Sequence, residues 1–221
     1  MPLPKLVRRA LAVLRPRWHM QEAFTRHYRQ NGWGDPESVS GPGSTLERTT
    51  TIRQELPPLF REFSIRSVLD AGCGDFNWFS TLEITLDHYI GTEVVRELVA
   101  ANEKRHGSPT RRFVALDITR DCLPRMDLIF ARDCLVHLKN AQIFAALRNF
   151  RRSGSRYLLT TTFTGEHPNA DVPLGGWRPL NLERPPFSLP PPLRLVSEKR
   201  TVEDGRYIDK SLGLWGIEQL P

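Results

Sequence analysis

Residues 67–78 read Ser67-Val68-Leu69-Asp70-Ala71-Gly72-Cys73-Gly74-Asp75-Phe76-Asn77-Trp78, and the fold turns on this stretch. A short apolar run ends in Gly72-Cys73-Gly74, where glycines let the backbone turn sharply and approach a ligand closely. A strand enters a nucleotide-binding loop in this way, and such loops normally hold phosphate on the N–H groups of the following helix. Two residues argue for a different ligand. Asn77 fills the third glycine slot of the dinucleotide fingerprint. Asp75 stands at the expected helix start, where a carboxylate caps the helix and repels a pyrophosphate. With Asp70 at the strand end, the loop carries two negative charges and suits a cation.

Outward from the loop, apolar runs alternate with helical patterns. The strands expected are Ser67–Asp70, Tyr89–Glu93, Phe113–Asp117, Asp127–Ala131 and Tyr157–Thr162. Helices are expected at Asn77–Thr85, Val94–Arg105 and Ala141–Arg152, and ahead of the loop from Leu46 to Phe63 with a break at Pro57-Pro58. Such alternation predicts a parallel sheet covered on both faces. Residues 164–193 are rich in Gly and Pro and read as a long irregular segment. Leu193–Glu198 and Leu212–Gln219 read as two final strands at the sheet edge, joined by a turn near Glu203-Asp204-Gly205.

The strand ends carry the site. Glu93 closes the second strand, placed to accept two hydrogen bonds from a ribose diol. Asp117 closes the third, where a carboxylate can accept from an adenine amino group. A ligand with a positive charge, a ribose and an adenine but no phosphate fits S-adenosylmethionine and not NAD.

SVLDAGCGD, YIGTE, FVALDIT and DLIFARDCLVHL resemble the successive signature segments of class I S-adenosylmethionine-dependent methyltransferases, over about residues 65–163. WGDPESVSGPGST, GGWRPLNL and PPF are more loosely similar to a group of uncharacterised bacterial methyltransferases. The resemblance implies a Rossmann-like α/β fold, a seven-stranded mainly parallel sheet whose last strand inserts antiparallel. It implies that Gly72 and Gly74 line the methionine part of the cofactor, that Glu93 takes the ribose, and that Asp117 with Ile118 borders the adenine. Asp70 and Arg132, beside the loop and after the fourth strand, complete the expected cofactor set.

The fourth strand leads into Arg132-Asp133-Cys134-Leu135-Val136-His137, which faces the methyl group if the ligand lies beyond the strand ends. Asp133 and His137 share a face if a helix starts there. Two readings of His137 stay open, a general base for an oxygen or nitrogen nucleophile and a structural histidine tied to a carbonyl. Asp133 either caps the helix or contacts the cofactor ammonium. Trp33, Trp177, Arg178 and Phe187, in the two irregular segments, are the expected enclosure of the acceptor, since aromatic rings exclude water and can face a cation.

Composition sets the outer bounds. The chain of 221 residues fits a methyltransferase domain over 46–221 preceded by a covering segment over 1–45. Residues 1–21 lack acid, and Leu3, Leu6, Val7, Ala10, Leu11 and Leu14 recur at helical spacing, which allows at most weak contact with a membrane surface. No apolar run reaches the roughly 20 residues of a membrane span. Three scattered cysteines suit a reducing compartment, so the expected location is the cytoplasm. The net charge of +6 and pI of about 9.6 permit an acidic partner, yet the arginines are scattered and no Asn/Asp-Pro-Pro-aromatic motif of DNA amino methylation follows the fourth strand. A small-molecule acceptor is therefore expected and DNA is not. A protein or RNA acceptor and a non-catalytic cofactor-binding role are the alternatives, and an NAD-dependent oxidoreductase is least favoured.

Overall fold

The computed structural model describes residues 20–198 and 207–221. The basic stretch from Leu3 to Leu14 and the turn at Glu203-Asp204-Gly205 lie outside the described residues. The described residues form a seven-stranded sheet: β1 Ser67–Ala71, β2 His88–Glu93, β3 Arg111–Ala115, β4 Leu128–Ala131, β5 Tyr157–Phe163, β6 Arg194–Ser197 and β7 Lys210–Gly216. Their order is β3-β2-β1-β4-β5-β7-β6. The first five strands pair in parallel, and β7 inserts antiparallel to both β5 and β6. The strand order switches sides after β3, so β4 returns to lie beside β1 and the sheet opens a crevice at their carboxyl ends.

The central strands are apolar without alternation because both faces are covered. On β4, Leu128 and Phe130 join one core cluster while Ile129 and Ala131 join the other. The first cluster receives Ile52, Leu56, Leu59 and Phe60 from α2, Thr50–Glu62. The second receives Ile143, Ala146, Leu147 and Phe150 from α4, Asn140–Arg152. The helix α3, Arg96–His106, covers β2 and β3, and a further helix, α1, covers residues 20–29.

Two expected helices behave differently. α2 runs through Pro57 and Pro58 without a break. The carbonyls that lose their donors belong to Arg53 and Gln54, on the side away from the core, where water can replace an amide. The stretch 77–85 forms only a 3₁₀ turn, Phe79–Thr81. Trp78 and Phe79 are both buried, so these adjacent residues must face the core together. Ser80 and Thr81 turn their hydroxyls back onto the carbonyls of Asn77 and Trp78, which competes with helical pairing.

Candidate functional site

The glycine loop spends its own donors. Gly72 and Gly74 both lie at positive φ, +78° and +56°, a region glycine enters without strain. The N–H groups of Gly72 and Cys73 donate to the Thr92 carbonyl at 3.0 and 3.1 Å. That of Gly74 donates to Glu93 Oε1 at 3.2 Å, and that of Asp75 to Ser40 Oγ at 3.1 Å. Phe76 N–H donates to the Cys73 carbonyl, and Asn77 N–H to Asp75 Oδ1. All six amides from Gly72 to Asn77 thus have acceptors within the protein, and a phosphate would have to displace them.

Asp75 does not cap an α-helix. Its carboxylate accepts from Val39 N–H at 3.0 Å and from the hydroxyls of Ser38 and Ser40 at 3.1 and 3.3 Å. Asn77 donates to Glu37 Oε1 and to the Ser44 carbonyl. The two residues that break the dinucleotide pattern therefore strap residues 37–44 across the loop. Ser40 sits so close that a Cβ on Gly74 would lie 2.0 Å from its hydroxyl oxygen. Gly74 is required by this packing as well as by its backbone angle.

Between the strand ends and the strap lies a cavity with about 1060 Å³ of empty space, its mouth included. Asp70, Gly72, Gly74, Glu93, Ile118, Arg132, Asp133, His137 and Trp33, all singled out in the sequence, line it. Asp70 is buried and accepts from the Tyr89 hydroxyl at 2.7 Å. Burial pushes its pKa up to about 7 against the pull of that hydrogen bond, with the charge of Glu93 adding to the rise. Burial likewise raises Glu93, although its oxygens accept from the amides of Gly74 and Val94. Two desolvated carboxylates facing one cavity favour a cationic ligand, which would lower both pKa values as it binds. The amides of Gly74, Val94 and Val95 act on this carboxylate, which with about four acceptor positions still has room for a further donor such as a ribose hydroxyl.

At the far wall, Asp133 adopts φ +51°, outside the ordinary range of a non-glycine residue. No α-helix begins there; a 3₁₀ turn, Leu135–His137, follows. Asp133 Oδ2 meets Lys210 Nζ at 2.5 Å and Arg132 at 3.5 Å, while Arg132 and Lys210 both pair with buried Glu198. Burial of Asp133 is outweighed by Lys210 and Arg132, which hold its carboxyl well below the usual range. His137 Nδ1 donates to the Gly176 carbonyl at 2.8 Å, which leaves Nε2 with its lone pair. Burial lowers the pKa of this imidazole, so the ring is neutral near pH 7.

Four expected site residues do not line this cavity. Asp117 turns its Oδ1 onto the amide and hydroxyl of Thr119, and its neighbours Leu116 and Ile118 face the cavity instead. Arg178 is buried and clamps the carbonyls of Val136 and Leu138 at 2.8 and 2.7 Å, with Asn140 Oδ1 at 2.8 Å, which braces the turn before α4. Phe187 is core, packed on Phe144 with ring centroids 5.1 Å apart. Trp177 sits at the surface against Tyr207 and Phe163. Arg132, although it lines the cavity, commits its guanidinium to Glu198 and the Gly43 carbonyl.

Residues absent from the expected set complete the wall. Met20, Phe24 and Tyr28 reach the cavity from α1, and Trp78 and Phe130 from the opposite side. The spacing of 20, 24 and 28 places three apolar side chains on one helical face, a pattern visible in the sequence.

No family model matches the chain, and no curated protein is detectably similar in sequence. Solved structures do match. The methyltransferase domain of bacterial CtHen1-CN aligns at a TM-score of 0.57 and 12% identity, covering 76% of this chain and 98% of that one. The N-methyltransferase NodS from Bradyrhizobium japonicum WM9 gives 0.54 and 13%, covering 77% and 96%. Magnesium protoporphyrin IX methyltransferase (ChlM) from Synechocystis PCC 6803, with bound SAM, gives 0.53 and 13%, covering 88% and 89%. The fold is the one shared by S-adenosylmethionine-dependent methyltransferases.

Proposed function

We propose that this chain is an S-adenosylmethionine-dependent methyltransferase acting on an oxygen or nitrogen nucleophile of a small molecule. The observation that carries the reading is the loop whose amides are all internally paired, facing a cavity lined by buried Asp70 and half-buried Glu93. This arrangement disfavours a pyrophosphate and favours a cation with a diol. Glu93 would hold the ribose hydroxyls, Asp70 the positive end of the ligand, and Leu116 and Ile118 the adenine faces. When bound, the cofactor supplies an electrophilic methyl group.

The protein's work is then alignment and exclusion of water. Phe24, Tyr28 and Trp33 line the same cavity as Asp133 and His137, and the rings of Phe24 and Trp33 lie against His137. The Trp33 ring lies 5.6 Å from the His137 ring, so an acceptor entering there meets apolar walls and a neutral imidazole. His137 Nε2 is the group placed to take a proton from the acceptor. The three structural neighbours are too distant in sequence to indicate an acceptor. A crystal structure with S-adenosylhomocysteine tests the reading. Ribose hydroxyls within hydrogen-bonding reach of both Glu93 oxygens support it, and a ligand placed elsewhere overturns it.

A further inference from the structure

Residues 164–193, irregular in sequence, are firmly built. Phe163 N–H donates to the Leu180 carbonyl, and Leu182 N–H to Thr162 Oγ1. Buried Asn169 donates to the carbonyls of Asn181, Arg184 and Pro185, and Asn181 donates to that of Gly165. On this base stands a cluster outside the cavity. Trp177, 42% exposed, meets Tyr207 edge-on at 4.8 Å, with Phe163 beneath both. Beside them His167 Nε2 donates to Asp209 Oδ2 at 2.9 Å, an oxygen that also accepts Gly165 N–H at 2.7 Å. Asp209 Oδ1 has no donor among the described residues. A Cβ on Gly165 would lie 2.9 Å from Asp209 Oδ2 and 3.2 Å from His167 Nε2, so glycine is what lets this pair close.

Two covalent links place the cluster next to the transfer locus. Trp177 follows Gly176, whose carbonyl holds His137. Asp209 precedes Lys210, whose ammonium holds Asp133. The arrangement is one open aromatic face beside a hydrogen-bonded carboxylate–imidazole pair. The edge-on Tyr207 leaves no parallel-walled slot for a flat aromatic ligand. A ring with an apolar face and equatorial hydroxyls matches it better, stacking on the indole while a hydroxyl donates to Asp209.

We propose that Trp177, Tyr207, His167 and Asp209 form an acceptor subsite that takes a carbohydrate ring. The proposal rests on the methyltransferase reading for its purpose but not for its test. Saturation-transfer NMR with methyl glycosides of glucose, N-acetylglucosamine and rhamnose, and with catechol as a flat aromatic control, is run on the full chain without cofactor. At least one glycoside should receive saturation. Trp177→Ala should weaken it by about tenfold or more while Trp177→Phe retains most of it, because a phenyl face still stacks. Asp209→Asn should weaken it as well, and melting curves identify any variant that fails to fold. Calorimetry with S-adenosylmethionine on the same preparations should show affinities within about twofold of wild type, since the cluster lies outside the cavity. Failure of wild type to bind S-adenosylmethionine defeats the methyltransferase reading and leaves the glycoside result to stand by itself. Absence of glycoside binding, binding of catechol alone, or glycoside binding indifferent to Trp177→Ala overturns the subsite.

Discussion

Replacing Asp70 by Asn should make the ligand-free protein more stable and the cofactor bind worse. Asn keeps a carbonyl that accepts the Tyr89 hydroxyl, so the exchange removes a buried charge and little else. Burial raises the Asp70 pKa from 3.8 to about 7. Between these values the folded state keeps a proton that the unfolded chain has lost, so stability falls as pH rises through the window. At pH 8 the carboxylate is ionised in both states, and a shift of about three pKa units costs about 4 kcal/mol. Asp70→Asn removes that cost, which for a chain of this size corresponds to a rise in melting temperature of roughly 8–16 °C. Near pH 4.5 the gain should shrink to about 1 kcal/mol, because only the first part of the window has been crossed. Melting curves of both proteins from pH 4.5 to 8 read this directly. A variant equally stabilised at every pH, or less stable than wild type at pH 8, would refute the reasoning. For wild type, cofactor affinity should fall as pH drops below about 7, since protonated Asp70 no longer attracts a cation.

Glu93→Ala should lower cofactor affinity by more than about tenfold, and it should also lower the melting temperature, since the amides of Gly74 and Val94 lose their acceptor. Calorimetry well below the melting point separates the two effects, and unchanged affinity removes Glu93 from the site. Gly74→Val should abolish cofactor binding and destabilise the fold together, because its side chain meets Ser40 at a positive φ; a variant that folds and binds normally contradicts the loop assignment. His137→Ala should reduce turnover by about 10²–10⁴-fold with cofactor affinity nearly intact, measured once an acceptor is in hand. Wild-type turnover at the normal rate in a folded His137→Ala protein would end the general-base role.

The fold was legible because strand burial is two-sided. Val68, Leu69, Leu128, Ile129, Leu158 and Leu159 form apolar runs that no solvent-facing element would carry. The misread elements share a different cause. Local signals at Pro57-Pro58 and at 77–85 were overruled by their surroundings: the proline faces of α2 point away from the core, and at 77–85 Ser80 and Thr81 pair with the carbonyls of Asn77 and Trp78 while Trp78 and Phe79 pack inward. Asp75 and Asn77 announced that the loop was unusual, but their partners lie some forty residues earlier in chain order, at Glu37 to Ser44. Arg178 and Phe187 look like ligand-binding types, and only tertiary placement reveals that one braces carbonyls and the other fills the core. Asp117 lies just past the end of β3 and turns its carboxylate onto Thr119, while its neighbours Leu116 and Ile118 line the cavity, a local pairing that the strand pattern did not show.

The central claim is that this loop selects a cation and rejects a phosphate. Titration of the wild-type protein with S-adenosylmethionine and with NAD, by calorimetry at pH 8, addresses it most directly. Saturable binding of S-adenosylmethionine that NAD neither reproduces nor displaces is the predicted result. Equal or tighter binding of NAD at the same site would contradict the account.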